Sequence, residues 1–389
     1  MNQGRYVFSQ FIALISTTSF QTIVSRHNGD YKVKEFSCWK QFLCMAFGQM
    51  THRESLSDTI LCLQASADKL YHLGIGAAIA KSTLSKANEN RSYRIYEDLA
   101  MLLITEAKAL YIADSNLEIS VSGNVFAIDA TTIDLCLSTF YWATFRSTKA
   151  GVKLYTQLNL KTAVPEFILF THACVHDVNA LDFISFEPNS FYVMDRGYVD
   201  YKRLYRINLC QAFFVTRAKD NMDYRRLYSH STDRESGVIY DQSILLNGHA
   251  AQKNYPLKMR RIKYRDPVTE TTLIFLTNNF HLKATDIAQL YKHRWLIELF
   301  FKWIKQHLKI KSFWGQSENA VKTQVWIAVA VYVLVLIAKK KFALQKSPYE
   351  ILQILSISIF EKTPLQQLFQ QTALQNLQEL NCKQLTIFD

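Results

Sequence analysis

Glycine and proline are scarce, 11 and 6 in 389 residues. No long flexible linker is advertised, so domain boundaries must be sought in changes of hydrophobic period. Paired cysteines are also missing. Seven Cys stand at 38, 44, 62, 136, 174, 210 and 382, and none forms a CxxC pair. That argues against a zinc ribbon and a disulfide framework, and fits a reducing cytoplasm. Long apolar runs are absent. The longest, Val325 to Ala338, has 14 residues and is followed by Lys339, Lys340 and Lys341. It is short for a membrane span and reads as a buried core helix. The first twenty residues carry no small-residue cleavage site and read as a helix, not a signal peptide. No internal repeat stands out.

Acids are outnumbered. Lys plus Arg is 45 against 33 Asp plus Glu, giving a formal charge of +12 and a pI near 9.2. A polyanionic partner is therefore a serious possibility. Hydrophobic residues make up 49%, enough for a sizeable core. At roughly 150 residues per domain the length suits two or three domains.

Residues 1–118 read as an all-α domain. Good helix formers dominate, and capping residues recur, such as Ser57 before Asp58 and Ser82 before Thr83. Arg53, Lys81, Lys86 and Arg91 are interleaved with polar residues. They fit either the solvated face of a bundle or a DNA-binding helical domain. From about 120 the period changes to strands: 125–128, 152–160, 167–170, 191–194 and 213–215, with a helix at 199–207. This suggests a mixed α/β sheet. Residues 218–283 alternate, are rich in Tyr, Arg and Lys, and carry turn signals at Asn247-Gly248 and Asp266-Pro267. They read as a β-rich insertion ending in a strand at 272–276. From 284 the chain is helical. Leu365, Leu368, Leu374 and Leu377 suit either a partner helix or one docked on its own domain.

Two carboxylates share one context. Asp129 follows Phe126-Ala127-Ile128, and Asp195 follows Tyr192-Val193-Met194. Each reads as the C-terminal end of a buried strand, where sheets open to ligands. The third element is a helix expected over about 284–308. At about 100° per residue, Tyr291, Arg294, Glu298 and Lys305 fall within roughly a 60° arc, with Lys302 on the same side. A broad apolar face covers the other side. One acid among cations suits metal binding by the acid and phosphate binding by the rest.

The spacing Tyr291-x2-Arg294-x3-Glu298-x6-Lys305 resembles the Tyr–Arg–Glu–Lys signature of DDE transposases of bacterial insertion sequences, in the insertion-sequence-four branch. Ile128-Asp129-Ala130-Thr131 resembles that family's first catalytic segment, and Asp195-Arg196-Gly197-Tyr198 its second. Gly151 to Tyr155, His176 to Asn179 and Phe214 to Lys219 look like secondary segments of the same domain. The resemblance covers roughly residues 120–345.

It implies an α/β, RNase H-like catalytic domain at 119–217 and 284–345, with a β-strand insertion domain at 218–283. The all-α domain at 1–118 would bind the terminal inverted repeats, through residues such as Arg53, Lys81, Lys86 and Arg91. C-terminal helices at 346–389 would form a homodimer in the DNA complex. Asp129, Asp195 and Glu298 are expected to be catalytic and to hold two Mg²⁺ ions, for which Mn²⁺ would substitute. Tyr291, Arg294, Lys305, Arg196 and Lys302 would contact DNA phosphates. The implied activity is cut-and-paste transposition through a hairpin, in the cytoplasm on the nucleoid, with double-stranded DNA as partner and no membrane. One departure stands out. Relatives hold a flipped base with a Trp in the insertion, and here the six Trp lie at 39, 142, 295, 303, 314 and 326. Tyr264 or Phe275 would have to stack instead.

Other readings remain. A catalytically silent DNA-binding protein would keep the basic surface, and a structure-selective nuclease would share the fold. His172 and His176 have a zinc-helix spacing, but the run before them reads as a strand. A glycosidase lacks support, because the acids come with Arg and Lys rather than a sugar-stacking platform.

Overall fold

The computed structural model describes residues 4–112, 117, 119, 121–146, 148–233, 235–307 and 313–369. The chain forms two compact units, one of residues 1–112 with 302–389 and one of residues 113–301.

The first unit begins with α1 (Val7–Ile12), α2 (Thr17–Arg26), α3 (Cys38–Met50), α4 (Leu56–Gln64), α5 (Lys81–Asn90) and α6 (Arg94–Tyr111). Two caps differ from expectation. Ser55, not Ser57, caps α4, its hydroxyl accepting from the Asp58 N–H at 3.0 Å. Helix α5 starts one residue before Ser82, with Ala80 at the cap position and no side-chain cap. In both cases the helix begins earlier than expected, which places the presumed capping serine inside the first turn.

In the second unit the sheet strands are β1 (Val125–Leu135), β2 (Thr144–Arg146), β3 (Lys149–Asn159), β4 (Pro165–His172), β5 (Phe191–Met194) and β6 (Phe213–Arg217), then β7 (Tyr224–His230), β8 (Val238–Leu246), β9 (Met259–Arg265) and β10 (Thr272–Thr277). Helices α7 (Tyr201–Leu209), α8 (His249–Asn254), α9 (Ala284–Lys292) and α10 (Trp295–His307) accompany them, the last running into the first unit. The strand order is β2-β3-β1-β5-β6-β10-β9-β8-β7, with β4 also on β3. Strands β1, β3 and β4 pair antiparallel, while β5 and β6 run parallel to β1. The first strand thus sits between an antiparallel half and a parallel half, which is the RNase H-like arrangement. Strands 125–128, 191–194 and 213–215 read as continuous apolar runs because both faces of the parallel region are covered. Phe126, Ile128, Tyr192, Met194 and Phe214 pack with Leu204 and Ile207 of α7 in one core.

The insertion strands do not fold as a sheet of their own. β10 pairs antiparallel with β6, and β9, β8 and β7 follow in one ten-stranded sheet. An unpaired β6 edge would leave a row of backbone donors and acceptors open, and β10 satisfies it. Arg260 of β9 and Asp241 of β8 form a buried ion pair at 2.6 Å, each side chain 7% exposed. Arg260 also donates to the Leu282 carbonyl at 2.6 Å, tying the insertion strands to the segment that enters α9.

The chain then returns to the first unit with α11 (Glu318–Lys341) and α12 (Pro348–Ser358). The apolar run at 325–338 forms the middle of α11, the one helix among the described residues long and apolar enough to cross a membrane; 94% of its apolar window is buried. It packs against α3, α5, α6 and α12 as a core helix. Ser317 caps its start, and Lys339, Lys340 and Lys341 lie at its end, where cations suit the helix dipole. Leu365 and Leu368 are buried, whereas Leu374 and Leu377 lie outside the described residues.

Candidate active site

Register brings the acids together. Ile128 of β1 pairs with Met194 of β5, and Met194 pairs with Thr216 of β6. The next residue on each chain is Asp129, Asp195 and Arg217. Strand β1 does not end at Asp129 as its apolar run suggested. It continues to Leu135 against β3, but its parallel partner β5 stops opposite Ile128. Asp129 is therefore the first residue past the parallel pairing, and the sheet opens there.

The helix expected over 284–308 is two helices. Helix α9 ends at Lys292, His293 and Arg294 form a turn, and α10 starts at Trp295. The Arg294 N–H bonds the Tyr291 carbonyl at 3.0 Å, so the chain continues in a tighter turn. The stripe survives the break. Arg294 donates to Asp129 Oδ2 at 2.9 Å and, through its other terminal nitrogen, to Glu298 Oε1. The Tyr291 hydroxyl approaches Asp195 Oδ1 at 3.4 Å, and Arg217 donates to the same oxygen at 3.0 Å. Arg217 lies in the segment Phe214 to Lys219 noted from sequence, but was given no role in the site there. Its signal was the same as for the two Asp: a charged residue closing an apolar strand.

Electrostatics differ between the two acids. Burial raises the Asp129 carboxyl above its ordinary value, opposed by the Ala130 N–H and then by Arg294. Burial acts on Asp195 too, but the Arg196 N–H and Arg217 outweigh it and the carboxyl lies below its ordinary value.

A divalent ion suits this donor set in kind, since it offers carboxylate oxygens with no thiol or imidazole. Buried polar atoms without a protein partner lie close by: Arg294 Nε, the Tyr198 hydroxyl, which feels the Asp129 charge, and Thr156 Oγ1, opposite Asp129 in register. The two hydroxyls could accept from the water of a hydrated ion, whereas Arg294 Nε, which only donates, suits a phosphate oxygen. Among the described residues no three acidic, His or Cys side chains form a ready metal cluster. The guanidinium of Arg294 bridges Asp129 and Glu298.

The remaining residues divide. Arg196 is about half exposed and pairs with Asp220 at 3.0 Å. Lys302 is exposed and Lys305 partly exposed, both further along α10. Tyr264 is partly exposed and lines a cleft of about 370 Å³ together with Tyr291 and Arg294. Phe275 is 1% exposed, with its ring 5.1 Å from that of Tyr291. Phe275 lies at the wall of the same cleft, and its burial favours Tyr264 as the more accessible of the two rings. In the first unit, Arg53 bonds the Thr51 carbonyl and Cys62 Sγ. Arg91 bonds Gln41 Oε1 and the Phe36 carbonyl. Both guanidiniums are committed within their own unit. Lys81 and Lys86 are exposed on α5.

The topology is of the RNase H-like kind, with the acids in a row where the sheet opens. The chain belongs to the transposase DDE domain family, whose pattern spans residues 122–334. Residues 3–76 match a domain of unknown function, DUF4372. The chain is 35% identical over 203 residues to "Putative transposase y4zB" of Sinorhizobium fredii, covering 51% of this chain and 56% of that one. It is 28% identical over 255 residues to "Probable transposase for insertion sequence element IS5377" of Geobacillus stearothermophilus, covering 65% and 66%. The matched stretch thus spans less than two thirds of either relative. A solved piggyBac transposase synaptic complex with hairpin DNA resembles the chain at 11% identity and a TM-score of 0.44, over 91% of this chain and 79% of that one. Members of the DDE family are generally dependent on divalent metal.

Proposed function

We propose that the chain is a cut-and-paste DNA transposase. It binds the terminal inverted repeats of its insertion sequence, hydrolyses the DNA ends through a hairpin intermediate, and joins the 3′-OH ends to target DNA. The observation that carries this reading is the convergence of Asp129 and Glu298 on Arg294, with Asp195 in the adjoining register position.

Asp129 would hold two Mg²⁺ ions, with Asp195 and Glu298 completing one site each and Mn²⁺ able to substitute. When bound, such ions supply a poised hydroxide and neutralise the charge building on the phosphate. The protein's own groups do the positioning. Tyr291, Arg294 and Lys305 grip phosphates beside the cut, with Arg196 and Lys302 further along the strand. Lys81 and Lys86 contact the terminal repeat. Residues 346–389 pair two copies, so that both ends are cut in one complex on the nucleoid.

Replacing Arg294 or Lys305 with Ala is expected to weaken binding of a cut end. Each should reduce the slope of log affinity against log salt by about 1. An unchanged slope in both variants removes the phosphate role. Tyr264 is the base-stacking residue in this scheme. A 2-aminopurine at the terminal position should brighten when flipped and be quenched on stacking. Tyr264→Ala should abolish that quenching; an identical signal in wild type and variant excludes Tyr264.

Strand transfer tests the whole reading. A duplex ending in the inverted repeat with a free 3′-OH is incubated with supercoiled plasmid and Mg²⁺. Joined product is expected. Cleavage without joining favours a structure-selective nuclease, and binding alone favours a silent DNA-binding protein.

A further inference from the structure

Helix α5 has an unusual division of faces. Leu84, Ala87 and Asn88 are buried. At about 100° per residue, Ser82, Lys86, Glu89 and Asn90 fall within roughly a 100° arc on the opposite side, and all four are exposed. That outer face holds no large apolar side chain, and among the described residues neither Lys81 nor Lys86 forms an ion pair.

The helix is held by polar groups as well as apolar ones. The buried amide of Gln41 donates to Asn88 Oδ1 at 2.8 Å, and Asn88 Nδ2 reaches Met45 Sδ at 3.2 Å. Asn319 Nδ2 donates to the Asn88 and Arg91 carbonyls at 2.9 and 2.6 Å. Buried hydrogen-bond networks fix one orientation where apolar packing tolerates slippage. The approach to the helix is low, because Gly76, Ala77, Ala78 and Ala80 are small and exposed. A helix with such shoulders can enter a groove about 12 Å wide.

We propose that α5 is the helix that reads base sequence in double-stranded DNA, with Ser82, Lys86, Glu89 and Asn90 facing the major groove. This rests on the terminal-repeat reading above and assigns it to one surface. The chemistry matches base edges: Lys pairs with guanine acceptors, Asn bidentately with adenine, Glu with the cytosine amino group, and Ser with either donor or acceptor. Helix α2 also has a polar outer face, but its Arg26 is held by Asp98 at 2.9 Å and its Thr22 hydroxyl by the Thr18 carbonyl.

The test is selection from a pool of duplexes with a random core, using the full chain without metal at fixed salt. Wild type should enrich one motif. Ser82→Ala, Lys86→Ala and Asn90→Ala combined should lose two to four adjacent positions of it, with roughly tenfold or greater loss of affinity for the wild-type motif. The circular dichroism should be unchanged, since all three residues are exposed. Gln21→Ala on α2 should retain the full motif. An unchanged motif in the triple variant overturns the role of α5 while leaving the terminal-repeat reading standing. A motif altered by Gln21→Ala alone moves the reading surface to α2 and likewise overturns it. Binding by wild type with no enriched motif overturns both.

Discussion

Replacing Asp195 with Asn is expected to lower DNA cleavage by about a thousandfold or more, while binding of a terminal-repeat duplex is retained or tightened. The size follows from what a metal ligand contributes. Charge stabilisation of several kcal/mol is lost when an ion is not held, and every 1.36 kcal/mol is a factor of ten in rate. Asn keeps the shape of the side chain and its place beyond Met194, so β5 and its neighbours should not shift. Removing one negative charge beside Arg217 frees that guanidinium for phosphate, which favours binding. Cleavage is measured on a denaturing gel and binding by mobility shift. A parallel loss of both would make Asp195 a structural residue.

The largest stability effect is expected at Asp241. It lies far from the acid row in sequence, and with Arg260 it forms an ion pair in which both side chains are 7% exposed. Truncating one member of such a pair strands the other charge in a low-dielectric interior, which costs about 3–5 kcal/mol. Asp241→Ala should therefore shift the urea midpoint sharply downward. Arg260 would keep its bonds to the Asn279 and Leu282 carbonyls but lose both carboxylate bonds. Replacing both residues with Met should recover most of the loss, because two apolar side chains leave no unpaired charge. A change below about 1 kcal/mol for Asp241→Ala would mean that water reaches the guanidinium and the pair is not sealed.

The acid row was legible because it depends on short-range pattern. Apolar runs at 125–128 and 191–194 mark strands whatever their neighbours, and the charged residue closing each marks where burial ends. The stripe of Tyr291, Arg294 and Glu298 was legible from helical spacing even though the helix breaks at His293. The break keeps the Arg294 N–H on the Tyr291 carbonyl, so the angular positions change little. Register was not legible. That Arg217 neighbours Asp195 depends on which strands pair, and pairing is set by the whole sheet rather than by any window of sequence. The same limit applies to the insertion. Alternation at 218–283 announced strands, but whether they extend the main sheet or form another depends on the open edge of β6. Burial of particular side chains was not legible for the same reason. Phe275 and Tyr264 lie on neighbouring strands, and only the packing of Tyr291 over Phe275 separates the enclosed ring from the accessible one. Arg91 looked like a surface cation because nothing local shows that Gln41 and the Phe36 carbonyl wait for it.

The central claim is that Asp129, Asp195 and Glu298 act as one metal-dependent centre, and one gel tests it most directly. The inverted repeats are located in DNA flanking the gene, a duplex carrying one is labelled, and wild type and Glu298→Ala are incubated with it in Mg²⁺. Glu298 is the acid contributed by α10, and its exposed side chain can be removed without disturbing the sheet. The account predicts a cut at the repeat boundary with wild type and none with Glu298→Ala, both proteins binding the duplex alike. Equal cleavage by the two proteins would contradict it.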